Sequence, residues 1–126
     1  MASLLLVDED RDSCQLAKRV LSREGHIAEA LAMPQEALAW LGANVPSLAI
    51  ASAGKYGEKA RATLELFKKA GISGSRIVLL AETGDLAAVR RSFGDSVLAV
   101  IEKNSSFERL IELIHTVEVE KKATTR

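Results

Sequence analysis

Short apolar runs alternate with stretches of helical periodicity along the whole 126-residue chain. Leu4 to Val7 is a continuous apolar run of the length of a strand buried on both faces. From Asp12 to Arg23 the apolar residues Leu16, Ala17, Val20 and Leu21 fall on one helix face, and Gly25 stops that helix. His26 to Ala30 reads as a second strand. Met33-Pro34 then opens a helix with Ala37, Leu38 and Leu41 inward, which Gly42 ends; Pro34 suits its first turn. Leu48 to Ala51 is a small-residue strand, and the loop Ser52 to Gly57 separates it from a helix over Glu58 to Ala70 anchored by Leu64 and Phe67. A turn at Gly71 to Ser75 precedes a strand at Ile77 to Leu80, and a short helix follows from Asp85 to Ser92 with Leu86 and Val89 inward. After the Gly94-Asp95 turn, Val97 to Ile101 is a fifth strand. Ser105-Ser106 caps a last amphipathic helix through Phe107, Leu110, Ile111 and Ile114.

Five strands alternating with five helices predict a doubly wound α/β fold, a parallel sheet covered by helices on both faces, because parallel neighbours need crossover connections. In such sheets the functional crevice lies beyond the carboxyl ends of the strands. The residues to examine are therefore Asp8-Glu9, Ala30, Ser52, Ala81-Glu82 and Lys103. Three acids in a row, Asp8-Glu9-Asp10, directly after the first strand invite a cation or a phosphoryl group with its metal. A plainer reading makes them capping acids favoured by the helix dipole, with Asp10 or Asp12 as the cap.

The length suits one domain, taken as residues 1–117, with the polar stretch 118–126 expected to fray as a tail or the start of a linker. Seventeen basic residues against 17 acidic ones give a formal charge of zero, which argues against a general nucleic-acid-binding surface. The pairs Lys68-Lys69, Arg90-Arg91 and Lys121-Lys122 lack aromatic interleaving and read as solvated helix faces. Cys14 is the only cysteine and reads as helix packing; no Cys/His spacing of zinc type is present, so a reducing cytoplasm is expected. The start Met1-Ala2-Ser3 has no basic segment and its apolar run is too short for a signal peptide or a membrane span, so no membrane contact is expected.

At the strand ends the chain resembles the receiver domains of two-component response regulators over nearly its whole length. Val7-Asp8-Glu9 is similar to the acidic pair after their first strand, Gly25 to Ala30 to their second-strand segment, and Pro46 to Ser52 to the segment ending in the phosphoacceptor aspartate. Leu80 to Asp85 resembles their fourth-strand end, and Val97 to Lys103 their last strand with its lysine. The resemblance implies a flavodoxin-like strand order 2-1-3-4-5. It also implies phosphoryl transfer from a histidine kinase to an aspartate, assisted by magnesium held by the acidic pair, with a hydroxyl and the lysine on the phosphoryl oxygens.

Most of those parts are replaced. Ser52 stands at the acceptor position, and no base is in view for it: His26 falls at the opposite end of its strand and His115 on the last helix. Without that carboxylate, Asp8 and Glu9 offer at most a weak residual magnesium site. Ala81 stands where the phosphate-sensing hydroxyl belongs, Val100 where receivers carry a switching Tyr or Phe, and Asn104 where a proline follows the lysine; the loop after Ser52 is a few residues longer than usual. Lys103, left beside unneutralised carboxylates, is expected to form a salt bridge to Asp8 or Glu9 in place of the metal.

The expected function is thus a signalling module of the phosphorelay type that takes no phosphate on aspartate, is not an enzyme, uses no cofactor and acts by protein contact. The resemblance places the contact face on the fourth helix, fifth strand and fifth helix, at Arg90, Arg91, Glu102, Glu108, Arg109 and Glu112. That face would meet a signalling protein or an output domain. Trp40 reads as core, and Tyr56, flanked by Lys55, Gly57 and Glu58, as an exposed contact. Two rivals are a flavodoxin-like nucleotide or flavin binder, which the acidic first turn opposes, and a receiver phosphorylated elsewhere, with Glu82 the nearest carboxylate. Ser52 and Thr83 also offer hydroxyls to a Ser/Thr kinase.

Overall fold

The computed structural model describes residues 2–103 and 107–124, with the side chains of residues 34 and 120–124 outside that description. The strands are β1 (Ser3–Val7), β2 (Ile27–Leu31), β3 (Leu48–Ser52), β4 (Ile77–Ala81) and β5 (Ala99–Glu102). They form one parallel sheet in the order β2-β1-β3-β4-β5. The helices are α1 (Arg11–Arg23), α2 (Pro34–Leu41), α3 (Ala60–Lys69), α4 (Leu86–Phe93) and α5 (Glu108–Thr124).

The apolar runs are continuous because both faces of each central strand are buried. In β1, Leu5 and Val7 enter the core under α2, α3 and α4, whereas Leu4 and Leu6 enter the core under α1 and α5. The same alternation sends Ala49 and Ala51 of β3 one way and Leu48 and Ile50 the other. Phe67 of α3 on one face, and Leu21 of α1 with Ile114 of α5 on the other, are large fully buried anchors of the helical layers. Trp40 packs half-buried against the first core, as expected.

Two residues expected to face inward do not. Leu16 is 49% exposed and Leu38 is 44% exposed. In α1 the buried stripe is Cys14, Ala17 and Leu21, spaced three and four apart, which puts Leu16 a further 100° around the helix. In α2, Ala37 is buried and Trp40 and Leu41 pack on the core, so Leu38 is the residue turned out.

Element ends also move. The loop after β3 contains a 3₁₀ turn at Lys55–Gly57, so α3 starts at Ala60 and not at Glu58. A 3₁₀ turn at Thr83–Asp85 delays α4 to Leu86, and Val97 packs as a buried turn residue ahead of β5. The stretch from Glu118, expected to fray, continues α5 as helix to Thr124. Glu, Lys and Ala there are good helix formers without an apolar stripe to announce them. Gly25 ends α1 as expected, at φ +88, a left-handed geometry that favours glycine. The Ser105-Ser106 cap and Asn104 lie outside the described residues, as do the side chains of Lys121 and Lys122. Among the described residues no helix is long and apolar enough to cross a membrane.

Candidate functional site

The parallel register carries the strand ends to one rim of the sheet. Asp8 follows β1 and its N–H donates to Leu31 O at 3.0 Å, and Ala53, following Ser52, donates to Leu80 O at 2.8 Å. The N–H of Lys103, just past β5, donates to Ala81 O at 2.8 Å. Asp8, Glu9, Ser52, Glu82 and Lys103 thereby line one cleft of about 470 Å³, joined by Asp10 and by Lys55, Glu58 and Lys59 of the β3–α3 loop. Ala81 is buried beneath it.

Lys103 does not point to solvent. Its Nζ lies 2.9 Å from Asp8 Oδ2 and donates to Oδ1 at 3.1 Å. The two side chains are 10% and 8% exposed, which makes this a buried pair. The expected bridge is therefore present, and its partner is Asp8. Glu9 is held by a different cation, Lys59, in an ion pair on the cleft rim.

Asp10 belongs to the helix and not to the cleft chemistry. It caps α1, its carboxylate accepting the Ser13 N–H at 3.2 Å and the Ser13 hydroxyl at 3.0 Å. Those hydrogen bonds hold its carboxyl below the ordinary value. The N–H of Asp10 in turn donates to Asp8 Oδ1 at 3.0 Å. Two amides at the start of α1, those of Asp10 and Ser13, are thus spent on the chain's own acids.

The Ser52 hydroxyl accepts the Gly54 N–H at 3.3 Å, a turn within its own loop. Neither histidine reaches the cleft. His26 Nδ1 accepts the Ala2 N–H at 3.1 Å and lies 3.7 Å from Glu118 Oε1, at the opposite end of the sheet, and His115 is exposed on α5. Divalent-cation binding would fall to Asp8 and Glu9, yet each already faces an ammonium group and Ser52 adds only a neutral oxygen. Among the described residues no three His, Cys, Asp or Glu side chains converge as metal donors. The donor set does not fit a firmly held divalent cation.

Cys14 packs in the core under α1, its Sγ 4.0 Å from the carbonyl oxygens of Leu6 and Leu31. Burial, and next the charge of Asp8, push its thiol up from the ordinary value. Native protein is therefore expected to react slowly with a thiol reagent at neutral pH and at the rate of a free cysteine once unfolded; equal rates in the two states would contradict this packing.

The residues assigned to a contact face fall into two groups. Arg90 is already engaged, its Nε and Nη2 donating to Val100 O at 3.3 and 3.1 Å, and Glu102 accepts the Thr83 hydroxyl. Arg91 on α4 and Glu108, Arg109 and Glu112 on α5 are exposed. Val100 is buried in the core between α4 and the sheet.

Tyr56 is 77% exposed, as expected, and its backbone has φ +57, the only positive φ outside glycine among the described residues. Its N–H donates to Asp85 Oδ2 at 3.0 Å, tying the β3–α3 loop to the turn before α4. Lys59 and Asp85 were not legible as site residues. Their roles depend on where the loops run, and no local spacing encodes that.

No protein-family model matches the chain, and no curated protein matches it. Solved structures do. A response regulator receiver protein from Burkholderia phymatum aligns over 93% of this chain and 94% of its own, with TM-score 0.77 and 18% identity. The receiver domain of the Francisella response regulator 1452 aligns over 96% and 99%, with TM-score 0.76 and 15% identity. NtrX from Brucella abortus aligns over 98% of this chain and 28% of its own length, with TM-score 0.76 and 23% identity. With the strand order and the cleft at the strand ends, these likenesses establish that the chain has the fold of the receiver domains of response regulators.

Proposed function

We propose that the chain is a receiver-like signalling module that takes no phosphoryl group on aspartate, catalyses no reaction, and acts through contacts with a signalling protein or an output domain. The observation that carries this reading is the state of the cleft. Ser52 ends β3 where the resemblance puts the acceptor, and Asp8 is closed in a buried pair with Lys103. A serine hydroxyl turned onto its own loop, with no base against it among the described residues, is not an activated nucleophile. Ala81 offers no hydroxyl where the resemblance puts the phosphate sensor, and Val100 no aromatic side chain where it puts the switch.

Contact through α4, β5 and α5 is the mode of action we propose, supported by the fold likeness and by the exposure of Arg91, Glu108, Arg109 and Glu112. Charges that stand free at a rim steer encounter and register more than they add affinity.

The test is incubation with a small phosphodonor, such as acetyl phosphate, and Mg2+, followed by intact-mass measurement. An unchanged mass is expected. A phosphate adduct would overturn the reading, and mapping it to Glu82 or to another residue would identify a non-standard acceptor.

A further inference from the structure

We propose that Lys59 is the chain's own substitute for a divalent cation: a tethered ammonium seated on Glu9 that, with Lys103 on Asp8, neutralises the acidic pair and keeps divalent ions out. This rests on the reading that the cleft is a receiver pocket without its acceptor. It adds how the two acids are balanced by the chain's own cations.

Three observations place Lys59. Its Nζ pairs with the Glu9 carboxylate. Its N–H donates to Ala53 O at 2.9 Å and its carbonyl accepts the Thr63 N–H at 3.0 Å, so its backbone is fixed at the start of α3. Its aliphatic stem lies across Gly54, where a Cβ would come within 2.7 Å of Lys59 Cγ, and Gly54 has φ +78. The missing side chain at Gly54 is the space through which Lys59 reaches the cleft. Glycine also suits that backbone angle, so one residue serves both needs.

The charges of the four groups then cancel. Asp8 and Glu9 carry two negative charges, and Lys59 and Lys103 two positive ones. A divalent ion entering this site would have to displace an ammonium that the chain holds at high effective concentration, and shed its own tightly bound water as well. Restoring a third carboxylate at position 52 leaves these paired groups and the new carboxylate with a sum of minus one. Removing Lys59 in addition leaves minus two, the charge that a divalent ion neutralises.

Calorimetric titration with Mg2+ of the wild type, Ser52→Asp, Ser52→Asp/Lys59→Met and Ser52→Asp/Lys59→Arg decides the matter, with a thermal melt to verify that each variant is folded. The Lys59→Met double variant is expected to bind Mg2+ at least about tenfold more tightly than Ser52→Asp alone, the effect of removing one unit charge a few ångströms from a divalent ion even in a water-like dielectric. The Lys59→Arg double variant, which keeps the charge, is expected to stay as weak as Ser52→Asp. If Lys59→Met fails to fold in that background, Lys59→Gln makes the same comparison. Equal affinity in Ser52→Asp and the charge-removing double variant would overturn the proposal, as would firm Mg2+ binding by the wild type. A phosphate adduct on the wild type would count against the proposed function instead, and the Mg2+ comparison would still decide the role of Lys59.

Discussion

Lys103→Met is expected to lower the unfolding free energy by about 3–5 kcal/mol, the cost of leaving one charge of a buried pair without its partner. Methionine keeps most of the side chain's volume, so the loss is electrostatic and not a cavity. Asp8 is only 7% exposed in the wild type, and besides Lys103 its Oδ1 accepts the Asp10 N–H. For a domain of this size the whole stability is about 5–15 kcal/mol, so the variant would stand near the limit of folding. The double change Asp8→Asn/Lys103→Met should recover most of the loss, because neither charge is then buried and the asparagine carbonyl can still accept from Asp10. Urea titration of the three variants checks this. A single Lys103→Met variant as stable as the wild type would mean that the pair contributes nothing to the fold.

Phe67→Ala is expected to cost about 3–5 kcal/mol as well, for a different reason. Phe67 is fully buried in the cluster that includes Leu5, Ile72, Ile77 and Leu79. Truncation removes that buried surface and leaves a void which strands already closed by helices on both faces cannot collapse to fill. Leu38→Ala, on the same side of the sheet but exposed, is expected to change stability by less than about 0.5 kcal/mol. Thermal or denaturant unfolding of this pair separates burial from mere hydrophobicity. Similar losses at the two positions would show that the exposure of Leu38 has been misplaced.

The contrast between Phe67 and Leu38 also marks how far the sequence can be read. Strand runs were legible because burial on both faces leaves no polar residue to interrupt them, and the helix anchors Leu64, Phe67, Leu110 and Ile114 followed from period alone. Leu16 and Leu38 look the same as their neighbours in composition, and only the angle of each helix on the sheet decides which apolar residue is left outside. In the cleft, Asp8, Ser52, Ala81 and Lys103 could be placed because each sits at a strand end, and strand ends are fixed by topology. Lys59 could not, because it belongs to a loop whose course is set by the left-handed backbone of Gly54, Tyr56 and Gly57. The length of α5 was hidden for yet another reason: its last turns have helical propensity without amphipathic pattern.

The Asp8–Lys103 pair joins residues 95 positions apart in the chain. Contacts of such separation carry a large entropy cost, since the freedom of the intervening chain has to be surrendered before they return anything. Until β5 docks beside β4, the carboxylate of Asp8 belongs in water, and β1 cannot settle fully between its neighbours without burying it alone. Full burial of Asp8 in the folded sheet is thus matched by a partner from the far end of the fold. The pair ties the first strand's completion to the arrival of the last, and a chain interrupted before Lys103 would carry that unmet charge into every attempt to form the sheet.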